Sequence, residues 1–334
     1  MNPKRILLSI GYGVALLSLI WVLHDFHIMQ ALREMASVDW KWVLLGMAFD
    51  VLSYGIQGLR WKLLLTPFGK VRLSGAIRSV YAGLFANLVL PLRPGEFLRS
   101  YLLANSEEIT MGRVLGSVGV ERLVDLVIAT AALGVASLFV DLPRPFQRAA
   151  SIIGIIMLVI LAGVVILILY LETKLGSNPN LGQDRPGFTG RFMSALAALH
   201  AMSTAPSFYT ALLASILMPF CQAMALWSIM RSYSLPLSLS AAIVVLLVIN
   251  LGVSLPNAPA NVGSYQIFCV LGLGIFQVEK TTATGFSIFA FIALTLPFVF
   301  LGFAALLRSG LTLRGIGEQV STIRRESFKS PSRV

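Results

Sequence analysis

Apolar residues along this chain neither alternate nor stripe; they run. Six runs reach the roughly 20 residues that a helix needs to cross a bilayer core: 6–23, 42–60, 114–140, 150–171, 207–230 and 284–307. Two further stretches, 79–104 and 240–276, are apolar but interrupted. The first breaks at Pro91-Leu92-Arg93-Pro94-Gly95-Glu96, the second at Pro256-Asn257-Ala258-Pro259-Ala260-Asn261-Val262-Gly263. Their arms hold about 13 and 8 residues, then about 16 and 13, and the short arms suit re-entrant segments better than full spans. The second pair also fits two short spans, although its turn carries no charge, which suits burial in protein. Two other stretches are amphipathic instead. Residues 27–38 place Ile28, Leu32 and Met35 at helical spacing, and residues 190–203 place Phe192, Leu196 and Leu199 on one face.

The elements therefore recur in one order: span, surface helix, span, broken hairpin, span. Residues 1–140 read this way, and residues 149–307 repeat it. Leu-Val-Leu-Pro at 88–91 has an echo in Val-Ser-Leu-Pro at 253–256, each followed by a second proline and a glycine. Three crossings in the first half start the second half on the opposite side. The first hairpin then enters from the cytoplasm and the second from outside. Inverted repeats with discontinuous helices are a transporter architecture. The predicted fold class is an all-α integral membrane protein of about six full spans plus two re-entrant broken-helix hairpins in an inverted repeat. Residues 308–334 form a basic, serine-containing cytoplasmic tail.

Composition agrees with a bilayer environment. The 334 residues are 57% hydrophobic and 12% charged, against about 25% charged in a soluble domain, too few to cover a globule in water. The net charge of +11, from 26 Lys and Arg against 15 Asp and Glu, would suggest nucleic acid on a soluble chain. Here it reads as basic loops against anionic headgroups, with no nucleic-acid partner. With the N-terminus inside, seventeen basic residues fall on cytosolic segments, Arg60 and Lys62 among them, and six on outer ones. That excess places both termini in the cytoplasm of a plasma (inner) membrane protein. The first run follows Lys4 and Arg5 without a clear cleavage site, so it is expected to be a retained signal anchor.

Several chemistries lack their signatures. Cys221 and Cys269 lie in apolar runs without a CxxC or a Cys/His cluster, so neither a zinc site nor a disulfide framework is expected. His24, His27 and His200 fall in loops or interfacial segments. No GxxxxGK[ST], HExxH or GxSxG occurs, and the longest soluble segment, 172–206, is too short for a catalytic domain. No cofactor, no metal and no enzymatic activity are expected.

What remains is the charge inside the apolar segments, which is costly there and faces a cavity or a partner. The first half holds seven such residues: Asp50, Arg93, Glu96, Arg99, Glu121, Arg122 and Asp125. Glu121 and Asp125, four apart, share a helix face and repel. They need cations, and Arg93, Arg99 and Arg122 are at hand. The second hairpin supplies neutral groups: Asn250, Asn257, Asn261, Ser264, Tyr265 and Gln266. The expectation is a polar chamber near mid-membrane, charged on one wall and hydrogen-bonding on the other. Glu121 and Asp125 read first as structural partners that lock the hairpin. Arg93 and Arg99 read as ligands, because guanidinium forks suit bidentate phosphate. Asp50 stands alone in its helix, as a proton site or an arginine's partner; pairing is the preferred reading. The methionines Met218, Met224 and Met230 read as packing.

Three segments together resemble a known family. Arg60-Trp61, then Asn87-Leu88-Val89-Leu90-Pro91-Leu92-Arg93-Pro94-Gly95-Glu96-Phe97-Leu98-Arg99, then Val120-Glu121-Arg122-Leu123-Val124-Asp125 form an ordered set similar to the lysylphosphatidylglycerol synthase transmembrane family, also described as flippase-like domain proteins. The resemblance spans nearly all of residues 5–307. The N-terminal membrane part of the bacterial multiple peptide resistance factor belongs to this family. The resemblance implies a flippase-like fold with two re-entrant hairpins and a substrate built from a polar head and a lipid tail. In the best-known relatives that lipid is an aminoacylated phosphatidylglycerol; other members have been linked to polyisoprenyl-phosphate glycan or envelope pathways. Relatives often carry a Pro-x-x-Pro-Gly-Gly-type turn ending in an acid, where this chain has Gln266, which counts against charge-based recognition from the second hairpin. No aminoacyltransferase domain follows the last span, so lipid aminoacylation is not expected.

The leading expectation is thus a translocator of anionic or polyprenyl-phosphate lipids. Arg93, Arg99 and Arg122 would hold the phosphate, and Glu96, Glu121 and Asp125 would orient them. Asn257, Asn261 and Gln266 would face the head group from the other hairpin. The alternative is a non-transporting partner that binds a lipid intermediate for an envelope-glycan or lipid-modifying enzyme. A transferase acting through Glu121 or Asp125 is a third reading.

Overall fold

The computed structural model describes residues 27–90, 94–136, 201–254 and 259–309 continuously, with scattered positions between 13 and 24 and between 138 and 166. Among these the chain is all helical. The helices are α1 (Ile28–Ala36), α2 (Trp40–Leu65), α3 (Leu73–Val89), α4 (Gly95–Ser106), α5 (Met111–Ala136), α6 (Ser207–Ser232), α7 (Leu239–Ser254), α8 (Ser264–Gly274) and α9 (Lys280–Arg308). Most of the expected spans 6–23 and 150–171, and of the amphipathic stretch 190–203, lies outside the described residues.

Three described helices are long and apolar enough to cross a membrane: α2 with its following turn, α6 and α9. Each is apolar nearly all round, as a lipid-facing helix must be. Leu44, Leu52 and Leu59 of α2 point outward, as do Leu213, Ile216 and Phe220 of α6 and Ile292, Leu296 and Phe300 of α9. Helix α5 matches α2 and α6 in length at 26 residues, but Glu121, Arg122 and Asp125 interrupt its middle. The amphipathic helix α1 exposes Ile28, Met29 and Leu32 and packs its opposite side on α9. There Glu34 accepts a hydrogen bond from Thr282 at 3.0 Å.

Both interrupted stretches fold as pairs of short helices. The first pair begins at residue 73 rather than 79, because Arg78 does not stop the helix: its Nε donates to the Ser74 carbonyl one turn back, at 3.2 Å. Helices α3 and α4 span about 25 and 18 Å at 1.5 Å per residue, short of a 30 Å bilayer core. They cross where two glycines meet. A Cβ on Gly95 would collide with the Gly83 carbonyl oxygen, and the Asn87 side chain accepts the Gly95 N–H at 2.7 Å. In the second pair, Gly252 lies flat against the Phe268 ring. The chain turns into α8 through Ala260, Asn261 and Gly263, all in the left-handed region with φ of 59°, 58° and 85°.

Helices α2 and α6 form the most extensive pair, brought close by Gly46, which sits against Ala225 and Ile229. Around this pair, α2 packs on α3 as α6 does on α7, α3 on α4 as α7 on α8, and α4 on α5 as α8 on α9. Helix α9 lies against α3, and α5 against α7. The turn Pro259–Asn261 touches α3, so the tip of the second pair meets the first.

Candidate functional site

Six charged side chains from three helices meet inside the bundle. Helix α4 begins at Gly95, so Glu96 falls in its first turn, where the helix dipole favours a carboxylate. Arg99 follows three residues later on the same face. Helix α5 presents Glu121, Arg122 and Asp125, and α2 brings Arg60.

The contacts close into a ring of alternating sign. Arg122 pairs with Glu96, and Glu96 reaches Arg99 at 2.8 Å. Arg99 reaches Glu121 at 2.8 Å, and Glu121 reaches Arg60 at 3.2 Å. Arg60 pairs with Asp125, and Asp125 returns to Arg122 at 3.8 Å. Three cations meet three carboxylates, so the ring is neutral. Arg60, Arg99 and Glu121 are buried, whereas Arg122, with its side chain 57% exposed, and the partly exposed Glu96 and Asp125 form an open edge. The Arg99 guanidinium also stacks on Trp61, 4.7 Å from the ring centroid, while the Trp61 indole donates to Ser117 at 2.9 Å. Arg99 Nη1 is buried and has no acceptor among the described residues.

The cation that bridges Glu121 and Asp125 is Arg60, which sequence reasoning had placed with the cytosolic loop charges. At 1% exposed, it is one of the most buried side chains in the molecule. A signal was available: Trp61, Leu64 and Leu65 continue the apolar helix past Arg60 and Lys62, and all three are buried. Asp50 stands in the opposite position. Among the described residues no arginine pairs with it, and its buried Oδ2 has no hydrogen-bond partner.

Of the neutral groups on the second hairpin, Gln266 is buried and its amide oxygen accepts the Gly263 N–H at 2.8 Å, capping α8. Asn261 sits in the left-handed turn that touches α3. Arg93 and Asn257 lie outside the described residues. No group of three or more His, Cys, Asp or Glu suited to a metal occurs among the described residues.

A helical membrane protein with a closed ion-pair ring between its apolar helices and a glycine-crossed helix pair beside it is the class that this geometry defines. Comparison with protein families makes the assignment: residues 6–302 match the lysylphosphatidylglycerol synthase TM region, and the chain belongs to that family. A search of curated proteins returned no match. Family membership relates the protein to lipid handling in the membrane.

Proposed function

We propose that this chain translocates a lipid with an anionic head group, of the phospholipid or polyprenyl-phosphate type. The head would pass the open edge of the ion-pair ring while the tails stay in the bilayer. The observation that carries this reading is the buried Arg99 Nη1, a charged donor without an acceptor among the described residues, beside the half-exposed Arg122. A buried, unmatched guanidinium donor is costly, and a phosphate oxygen arriving along the Arg122 edge would supply its acceptor in charge-assisted geometry. Arg93 belongs to the same proposal as a further phosphate ligand. Glu96, Glu121 and Asp125 hold the arginines in place.

The inverted repeat is part of the proposal, with α2 to α5 equivalent to α6 to α9 and both short helix pairs re-entrant. Its support is the paired packing: each contact within the first set has a counterpart within the second, and the crosswise contacts α9 on α3 and α5 on α7 exchange under the same operation. Rocking of one set against the other would then alternate access. Both termini face the cytoplasm on this reading, and no bond is made or broken in the lipid.

The test is lipid movement in vesicles of phosphatidylethanolamine and phosphatidylglycerol carrying a fluorescent phosphatidylglycerol tracer, read by quenching from outside. The wild-type protein should move the tracer, and Arg122→Ala should reduce the rate at least about tenfold, as expected for loss of a charge-assisted contact worth 1.5–3 kcal/mol. Full-rate movement by a well-folded Arg122→Ala would overturn the assignment of the site. Closure of the ring on itself favours the second reading, a non-transporting partner that binds a lipid intermediate for an envelope-glycan or lipid-modifying enzyme. Tight retention of an anionic lipid through purification, without movement in vesicles, would select it.

A further inference from the structure

Among the described residues, Asp50 is the buried charge that the ring does not use. It is the eleventh residue of α2, close to the middle of that 26-residue helix, and about 15 Å along the axis from Arg60 at 1.5 Å per residue. The residue is 7% exposed. Among the described residues its Oδ2 finds no hydrogen-bond donor and no ion pair includes it.

The groups that face Asp50 come from both sets of helices. Its own helix contributes Tyr54, α3 contributes Tyr81 and α8 contributes Tyr265, each within electrostatic range of the carboxyl. The Tyr81 hydroxyl donates to the Val51 carbonyl at 3.0 Å, one residue from Asp50. Helix α9 adds Phe298 against Tyr54 and Phe291 against Tyr265, both aromatic and uncharged. Helix α6 carries no charged residue before Arg231. On α5, Glu121 and Asp125 are already bound to Arg60. The described surroundings therefore offer Asp50 phenols and rings, and no cation.

We propose that Asp50 is a proton-binding site that couples lipid movement to protons. It holds its proton while Tyr54, Tyr81 and Tyr265 surround it and releases it when water enters that seam. The physical reason is the cost of a bare charge. A carboxylate taken out of water without a partner neutralises itself by taking up a proton, so the closed arrangement selects the neutral acid. Hydration of the seam removes that preference, and the proton leaves to water. One proton is taken from one side and given to the other per cycle, and no redox step is involved. Because Tyr265 belongs to the second set of helices and Tyr54 and Tyr81 to the first, a relative motion of the two sets changes the surroundings of this carboxyl directly.

The coupling rests on the translocator reading, whereas the bound proton does not, and two measurements separate them. The first is infrared difference spectroscopy of the purified protein in ester-free detergent, wild type against Asp50→Asn at neutral pH. A protonated-carboxyl band that shifts in heavy water and is missing from the variant is expected; absence of that band from wild type overturns the proton site. The Asn variant should be at least as thermostable as wild type, since it mimics the neutral acid, and a large loss of stability would instead reveal a structural ion pair. The second measurement follows fluorescent phosphatidylglycerol in vesicles under a pH gradient of one unit in either direction. Wild-type rates should differ between the two directions by up to about tenfold, the ratio of the proton concentrations, and Asp50→Asn should give equal rates in both. Equal rates in wild type overturn the coupling. If neither protein moves lipid, the translocator reading fails and the coupling with it, while the infrared band still decides whether Asp50 holds a proton.

Discussion

Arg60 shows how differently one charge behaves by position. On a loop it would be worth little; between Glu121 and Asp125 it is the brace that lets two carboxylates share a helix face. Removing one partner of a buried network costs far more than the pair contributes in sum. Glu121→Gln strands buried charge on both Arg60 and Arg99, and it should destabilise the protein by about 3–5 kcal/mol. Arg122→Ala acts on the half-exposed edge and should change stability by at most about 1 kcal/mol. Thermal unfolding of both variants in detergent checks the contrast, and equal losses would mean that the ring is not buried as described. The intramembrane charges themselves were legible from sequence, because each one interrupts an apolar run. Their pairing was legible in part: Arg99 reaches Glu121 and Arg122 reaches Asp125 as expected, but the cation shared by both carboxylates is Arg60. Arg60 stands next to Lys62 at the edge of a run, where local pattern cannot distinguish a loop arginine from a buried one. Asp50 is the converse: pattern suggested a partner or a proton site, and the described packing around it supplies phenols.

Among the elements, the first short helix pair depends on a single close approach. Gly95 has no room for a side chain, since a Cβ would meet the Gly83 carbonyl and the Asn87 amide together. Gly95→Ala should spread α3 from α4, carry Glu96 and Arg99 off the ring, and lower the yield of monodisperse protein in size-exclusion chromatography. Gly55→Ala, on α2 where a Cβ has open space, is the comparison and should cost less. Sequence reading found both interrupted stretches from their Pro and Gly clusters, and missed the start of α3 by six residues. A charge read as a boundary was tolerated there, because one turn of helix gives Arg78 a carbonyl to bond. The amphipathic helix α1 was readable from spacing alone, since Ile28 and Leu32 recur at helical period and both lie on its outward side.

At the scale of the molecule, helix packing is balanced between two sets while the chemistry is not. All six ring members come from α2, α4 and α5, and the helices matched to them in the proposed repeat, α6, α8 and α9, are uncharged at their centres. Orientation can be read directly. In a background free of Cys221 and Cys269, Ser37→Cys before α2 and Gly69→Cys after it should react with a membrane-impermeant maleimide from opposite sides of the membrane, Gly69→Cys from the cytoplasmic side. Labelling of both from one side would mean that α2 does not cross.

The neutrality of the ring has an electrical consequence. Because its cations and anions cancel, displacement of the ring as a unit moves no net charge through the transmembrane field, which is worth about 2.3 kcal/mol per elementary charge per 100 mV. On the proposed function, the voltage would act on the phosphate head, or on Asp50 once its proton has left, and leave the ring itself unbiased.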